Sequence, residues 1–134
     1  MIKFSAIYDF REKSLQYINC GHNEIMLKMN GEIKLLSEGT TILGMINPLP
    51  FINAGKLEDI SNFFIFAYTD GLTETFDEED EAFEFERLKK IIEDYDNGDL
   101  NLLQSKILSE LNEFKGSRDF HDDITMLSCK VQNE

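Results

Sequence analysis

The sequence predicts an α+β fold in which helices pack over antiparallel sheet. Strand-like segments fill the first half of the chain, two helix-like segments follow, and a last strand-like segment closes it. With 134 residues, of which 42% are hydrophobic and 11% aromatic, the chain is long and apolar enough to bury one core. We therefore expect a single domain over residues 1–134.

The first sixty residues are expected to form a meander of antiparallel strands. Strand-like segments occur at Phe4–Phe10, Leu15–Asn19, Ile25–Met29 and Ile33–Leu36. Asn30-Gly31 lies between the last two, and both residue types accept the positive φ angles of a tight hairpin turn. An ordered loop is predicted over Gly39–Pro50, followed by a short strand at Phe51–Ala54.

The second half begins with Phe63–Tyr68, whose unbroken apolar run is typical of a strand covered on both faces. Two amphipathic helices are predicted after it, Glu81–Tyr95 and Leu100–Phe114, joined at Asn97-Gly98. Their apolar residues recur at helical spacing: Phe85, Leu88, Ile91, Ile92 and Tyr95 in the first, and Leu103, Ile107, Leu108, Leu111 and Phe114 in the second.

The chain is expected to end in one more strand, Ile124–Val131, in which Met126, Leu127 and Cys129 pack. Cys129 and the other cysteine, Cys20, show no metal-ligand spacing. Free thiols are therefore expected, with a disulfide between two strands as the alternative.

The net charge of −13 excludes nucleic acid as an expected partner, because binding to a phosphate backbone depends on Lys and Arg. Acidic residues crowd at Asp77–Glu81, which we interpret as a solvated loop before a helix, since five adjacent carboxylates cannot converge on one ion. Neither a signal peptide nor a membrane-length apolar run is found, so a cytoplasmic protein without a membrane partner is expected.

Acidic residues stand at opposite ends of two apolar segments. Phe63–Tyr68 runs into Thr69-Asp70-Gly71, and Asp122-Asp123 precedes Ile124–Val131. If these segments are neighbouring antiparallel strands, Asp70 and Asp122 reach the same edge of one sheet. Carboxylates held together repel each other unless a cation neutralises them, which points to a Mg²⁺ or Mn²⁺ site. The plainer interpretations are an Asp-Gly turn and a solvated loop.

Four motifs occur in a fixed order along the chain: Cys20-Gly21-His22-Asn23, Tyr68-Thr69-Asp70-Gly71, Phe83 through Arg87-Leu88, and Asp122-Asp123-Ile124-Thr125. Together they resemble the bacterial SpoIIE-like branch of the metal-dependent (PPM-type) serine/threonine protein phosphatases. The resemblance covers nearly the whole chain. It implies an α-β-β-α sandwich with the metal site at one edge of the paired sheets.

By this resemblance, Asp70 and Asp122 match the metal-binding aspartates of the family, and Gly71 and Asp123 support them. Family chemistry uses two Mn²⁺ or Mg²⁺ ions about 4 Å apart, whose shared water attacks the phosphorus of phosphoserine or phosphothreonine. The implied partner is a bacterial signalling phosphoprotein, such as an anti-sigma-factor antagonist. His22 is either a proton donor to the leaving group or a ring bonded to local backbone. His121 is either a group supporting the site or an exposed loop residue.

One part of the family pattern has no match in this sequence: an early strand ending in Gly-Asp, then Gly-His-Gly and a long helix. Met1–Tyr8 aligns with a later strand, and Asp9 falls in a hairpin, so we expect an N-terminally truncated domain without the metal-bridging aspartate. We therefore expect the chain to bind at most one metal ion, weakly, and to show little or no phosphatase activity. An exposed sheet edge that favours homo-oligomers is also expected. The alternative is a non-catalytic protein-interaction module with a degenerate phosphatase fold.

Overall fold

The computed structural model describes residues 1–96 and 98–133. The strands are β1 (Lys3–Asp9), β2 (Ser14–Cys20), β3 (Ile25–Met29), β4 (Glu32–Leu36), β5 (Gly39–Thr40), β6 (Gly55–Leu57), β7 (Phe63–Tyr68) and β8 (Met126–Val131). The helices are α1 (Asp70–Thr73), α2 (Glu84–Glu93) and α3 (Leu100–Lys115). The chain divides into a first unit, Met1–Ala67 with the residues from Cys129 onward, and a second unit, Tyr68–Ser128.

The strands form two four-stranded sheets. In one sheet β2 pairs with β1, β5 and β6, and in the other the order is β4-β3-β7-β8. The expectation of purely antiparallel sheet is wrong at one place, because β5 pairs with β2 in parallel through Gly39 and Thr40. Only Ser37 and Glu38 separate β4 from β5, and after them β5 runs alongside β2 in the same direction as β2. The sheet that contains β2 is therefore mixed.

The core of the first unit is built from strands of both sheets and from the loop before β7. Its buried residues are Leu15, Tyr17, Ile25, Leu27, Leu36, Ile60 and Phe63. They alternate with more exposed positions along β2 and β4, as expected when one face of each sheet turns inward. The apolar inner faces of the two sheets therefore hold this unit together.

The two predicted hairpins are confirmed. Asn30 and Gly31 take φ angles of 52° and 79°, which is the backbone geometry of a tight two-residue turn. In the β1–β2 turn, Asp9 Oδ1 accepts hydrogen bonds from the backbone N–H groups of Arg11 and Glu12. The Asp9 carboxylate therefore serves the turn, as its place in the sequence indicates.

The predicted strand at Phe51–Ala54 is wrong. Phe51 and Ile52 are exposed at 50% and 62%, and the strand next to β2 is formed instead by the following residues of β6. A Cβ atom at Gly55 would lie only 2.1 Å from the Tyr17 ring, so only glycine fits opposite this buried tyrosine. Apolar composition alone placed the strand a few residues too early, because it does not show that Phe51 and Ile52 are exposed.

The second unit contains the two predicted helices, α2 and α3, and one further short helix, α1. α1 was not predicted, since its four residues are too short to show a periodicity. α2 is shorter than predicted, because Ala82 pairs with Phe76 in a bridge and Phe83 N–H donates to the Thr75 carbonyl before the helix begins. The predicted junction at Asn97-Gly98 includes Asn97, which lies outside the described residues.

α3 forms where predicted, and the Asp99 side chain caps it by accepting from the Asn101 N–H at 2.8 Å. Its buried residues are Leu103, Ile107 and Leu111. Leu108, predicted to face the core, is 40% exposed. The apolar stripe of α3 is therefore narrower than the sequence pattern indicates.

β8 begins two residues later than predicted. Leu127 is 64% exposed and Cys129 is also exposed, so the packing predicted for both is wrong, while Met126 is half-buried. Cys129 and the buried Cys20 are free thiols, and the alternative of a disulfide is not realised. Within the described residues, no helix has the length and apolar character needed to cross a bilayer.

Candidate functional site

Asp70 occupies the first residue of α1, directly after the buried strand β7. Thr69 is the residue before the helix and has extended backbone, so the chain turns sharply between strand and helix. Gly71 and Leu72 are buried, whereas Asp70 is exposed. The sequence Thr-Asp-Gly-Leu therefore fixes the backbone of this turn and leaves the carboxylate of Asp70 toward solvent.

Asp122 and Asp123 lie in the loop between α3 and β8, and both are exposed. Asp122 Oδ1 accepts the backbone N–H of Asp123 at 2.8 Å. The prediction that this pair directly opens the last strand is wrong, because β8 starts at Met126. The reason is that the Thr125 N–H bonds to a threonine side chain rather than to a strand carbonyl.

Two threonines join the Asp70 turn to the Asp122-Asp123 loop. The Thr69 N–H donates to the Thr125 carbonyl at 3.1 Å, and the Thr125 N–H donates to Thr69 Oγ1 at 2.9 Å. Thr69 Oγ1 in turn donates to the Asp123 carbonyl at 3.3 Å. Three hydrogen bonds thus bring the residue before Asp70 against the residues that follow Asp122.

Gly71 allows the same two segments to touch. A Cβ atom at this position would lie 2.3 Å from the carbonyl oxygen of Asp123 and 3.2 Å from that of Asp122. Only a residue without a side chain permits this backbone approach. The Asp-Gly pair is therefore more than a turn signal here, since its glycine is the point of contact with the second acidic segment.

The donors at this place are carboxylate oxygens, which are the ligand type that Mg²⁺ and Mn²⁺ prefer. Within the described ranges 1–96 and 98–133, no group of three or more His, Cys, Asp or Glu side chains is arranged to hold a metal ion. Asp70 and Asp122 carry this ligand type on segments whose backbones approach each other at Gly71. They are too few for a pair of ions, which needs more carboxylates to bridge and surround it.

His22 lies in the first unit, in the turn after β2. Its backbone N–H donates to Asn19 Oδ1 at 2.8 Å, and its ring nitrogen Nδ1 lies 3.0 Å from the carbonyl oxygen of Asn23. In a neutral ring Nδ1 must therefore carry the proton, which leaves Nε2 as the acceptor. These contacts supply the local backbone role that was one of the two interpretations of this histidine.

The acidic segment 77–81 forms a turn before α2. Asp77 Oδ1 accepts the backbone N–H groups of Glu79 and Glu81, both at 2.9 Å, so this carboxylate organises its own turn. Asp80 and Glu84 take φ angles of 65° and 66° as the chain reverses. The interpretation of this run as a solvated loop is confirmed.

Thr69 and Thr125 were not singled out from the sequence. The available signal was that each lies inside an acidic motif, one residue before Asp70 and two after Asp123. Threonine is common in strands, so its presence there predicts nothing about a cross-connection. Only the tertiary structure shows that the Thr69 hydroxyl bonds to the backbones of Thr125 and Asp123.

The family model of Stage II sporulation protein E (SpoIIE) matches residues 3–132 of this chain. No curated protein sequence matches it significantly. The family match covers all four motifs and nearly the full length.

Solved structures of phosphatase domains share the fold. The phosphatase domain of SpoIIE from Bacillus subtilis, Mn-presoaked, superposes with a TM-score of 0.71 at 14% identity over 99% of this chain. The SiaA-PP2C domain of Pseudomonas aeruginosa gives a TM-score of 0.78 at 19% identity over 92% of this chain. The structure of the RsbU and RsbW domains of a Mycobacterium tuberculosis protein gives a TM-score of 0.69 at 24% identity over 98% of this chain.

The chain spans only part of each of these relatives: 57% of the SpoIIE domain, 49% of the SiaA domain and 36% of the mycobacterial protein. At these identities the likeness is one of fold. The chain thus has a PPM/PP2C-like fold with mixed sheets and few helices.

Proposed function

The chain belongs to the SpoIIE family of PP2C-type serine/threonine phosphatase domains, and from this premise we propose that it takes part in the metal-dependent hydrolysis of phosphoserine or phosphothreonine. Its substrate in this proposal is a bacterial signalling phosphoprotein. The finer architecture that we propose is the α-β-β-α sandwich of the family.

The observation that carries the proposal is the junction of the two acidic segments. The Thr69–Thr125 hydrogen bonds and the approach of Gly71 to the Asp123 carbonyl bring the backbones of Asp70 and Asp122 to one place. A structural turn alone does not need two exposed acidic residues on segments so far apart in sequence. A cation shared by the two carboxylates would remove their mutual repulsion.

Asp70 and Asp122 are the residues proposed to hold Mn²⁺ or Mg²⁺, with Gly71 and Asp123 in support. A divalent cation bound there would lower the pKa of the water molecule that it coordinates and would neutralise charge on the phosphoryl oxygens. The protein contributes orientation. α1 fixes the backbone of Asp70, and the threonine bonds fix the loop of Asp122, so little rearrangement is needed when a cation binds.

Two carboxylates are sufficient for one ion and insufficient for the close pair that activates a shared water. We therefore propose that residues 1–134 by themselves bind a single ion weakly and turn over phosphopeptide slowly or not at all. Robust Mn²⁺-dependent hydrolysis that is abolished by Asp70→Asn would overturn this part of the proposal.

The proposed site is tested by calorimetric titration with Mn²⁺. Saturable binding is expected in the wild-type protein and is expected to be lost in Asp70→Asn and in Asp122→Asn. Glu110→Gln is the matched control, because it removes one exposed negative charge on α3 and is expected to leave binding unchanged. Equal weakening by all three variants means that Mn²⁺ only collects in the field of a chain of net charge −13, and ends the proposal.

A second candidate is a non-catalytic interaction module, and the first strand favours it. Within the described residues β1 stands at the edge of its sheet; Ile7 in this strand is 76% exposed, and Phe10, just after it, is 62% exposed. An edge strand with exposed apolar residues favours pairing with another chain. Sedimentation over a range of concentrations tests this: self-association that Ile7→Lys removes supports the module, and a monomer at every concentration counts against association with itself.

A further inference from the structure

Two segments of the second unit are tied together away from the acidic pair. Glu78 Oε1 accepts the backbone N–H of Ser117 at 3.0 Å and its hydroxyl at 2.7 Å. Arg118 Nη1 donates to the Asp80 carboxylate and, at 2.7 Å, to the carbonyl of Asp77. We name these five residues, Asp77, Glu78, Asp80, Ser117 and Arg118, the clasp. It joins the acidic turn to the start of the loop that follows α3.

Phe76 extends these contacts toward the acidic pair. Its ring lies edge to face with His121 at a centroid distance of 6.4 Å, and the guanidinium of Arg118 lies 6.0 Å from the same ring. His121 is the residue directly before Asp122. The loop is therefore held from Ser117 up to the neighbour of the proposed ligand.

The acidic turn is itself built on the segment that carries Asp70. The buried Thr75 donates its hydroxyl to the Gly71 carbonyl at 2.9 Å, and its own carbonyl accepts the Phe83 N–H at 2.8 Å. Phe76 follows Thr75 in the chain. A rigid connection thus runs from α1 to the turn that holds the loop of Asp122.

We infer that the clasp positions the Asp122 carboxylate relative to Asp70. One end of the Asp122 loop is held by the Thr69–Thr125 bonds, and the other end is held by the clasp. Thr69 directly precedes α1, and the acidic turn follows α1. Because both ends of the Asp122 loop are held by these neighbours of α1, the separation of the Asp70 and Asp122 carboxylates is set before any ligand binds. The inference rests on the proposed function, because a shared cation is what makes this separation matter.

The exposed ion pair of the clasp is expected to contribute little to the global stability of the protein. The Arg118 and Asp80 side chains are 39% and 82% exposed, and surface ion pairs of this kind add little to the free energy of folding. The hydrogen bonds from Ser117 hold the pKa of Glu78 below its usual value, so these bonds favour the ionised carboxylate. Breaking the clasp is therefore expected to change the order of the loop and to leave the melting temperature nearly unchanged.

The test compares Glu78→Ala with Glu79→Ala in the full chain. Both variants remove one exposed negative charge from the same turn. Glu78 uses its carboxylate to hold Ser117, whereas Glu79 contributes its backbone N–H to the turn. Two quantities are measured: amide hydrogen exchange at residues 119–125 without metal, and the Kd for Mn²⁺ by calorimetry.

Glu78→Ala is expected to speed exchange across 119–125 and to weaken Mn²⁺ binding by about tenfold, at the lower end of the range for groups that orient a metal ligand. Glu79→Ala is expected to leave both quantities near their wild-type values. Glu78→Gln keeps an acceptor oxygen for Ser117 without the charge and is expected to restore most of the affinity. Such rescue separates positioning from simple attraction of the cation by negative charge.

Unchanged exchange at 119–125 in Glu78→Ala overturns the inference whatever the metal does. Equal loss of Mn²⁺ affinity in Glu78→Ala, Glu78→Gln and Glu79→Ala also overturns it, because charge alone then explains the effect. Faster exchange in Glu78→Ala, together with a wild-type protein that binds no Mn²⁺, refutes the proposed function and still supports the clasp as the device that orders the loop.

Discussion

Replacing Gly71 with alanine tests the backbone contact on which the candidate site depends. The added Cβ would lie 2.3 Å from the Asp123 oxygen, and acceptable contacts begin near 3.0 Å, so the loop has to move by about 0.7 Å or more. Forced displacement in a packed region costs about 1–3 kcal/mol, of which the better helix propensity of alanine returns up to about 1 kcal/mol. We expect a net loss of up to about 2 kcal/mol.

The same displacement exceeds the tolerance of metal coordination, where ligand distances hold to within about 0.2 Å. Gly71→Ala is therefore expected to lower the melting temperature by several degrees and to abolish detectable Mn²⁺ binding in calorimetry. Gly98→Ala is the control, because among the described residues the atom that its Cβ would meet is a flexible side-chain oxygen of Asp96, at 3.3 Å. A Gly71→Ala protein with wild-type melting temperature and wild-type Mn²⁺ affinity would refute the reasoning.

Three further outcomes are expected. Thr69→Val removes the hydroxyl that bonds Thr125 and Asp123, and urea unfolding should give a loss of about 1 kcal/mol that Thr69→Ser largely avoids. Leu72→Ala empties a fully buried position of α1 and should cost about 2–4 kcal/mol in the same assay. Because the hydrogen bonds from Ser117 lower the folded-state pKa of Glu78, the extra strength that its ionised carboxylate gives these bonds is present above its unfolded pKa near 4.5 and is lost as the pH falls through the lower folded value; exchange at 119–125 should therefore rise modestly there in wild type, toward the level of Glu78→Gln, which should not change.

The sequence predicted those elements whose signals are local. β7 lies where its unbroken apolar run placed it, the Asn30-Gly31 turn has the expected φ angles, and α3 begins at the predicted Leu100. Each depends on residue type or on a periodicity long enough to be recognised. The segment Phe51–Ala54 was misassigned because its apolar residues are exposed, and exposure is a property of the tertiary structure.

The sequence predicted the acidic residues of the candidate site but not the hydrogen bonds that hold their segments in place. Asp70 and Asp122 stand out because each adjoins an apolar segment, and their motifs resemble those of one family. Their role as metal ligands stays a prediction. The contacts of Thr69 with Thr125 and of Glu78 with Ser117 join residues distant in sequence, and their side chains are of common surface types, so nothing in a single sequence marks them.

The central claim is that Asp70 and Asp122 hold one divalent cation between them. Diffraction from crystals soaked in Mn²⁺, collected where manganese scatters anomalously, tests it most directly. The account predicts one anomalous peak in contact with carboxylate oxygens of both residues, absent from crystals of Asp122→Asn. A peak elsewhere on the chain, or none beside Asp70, would contradict it.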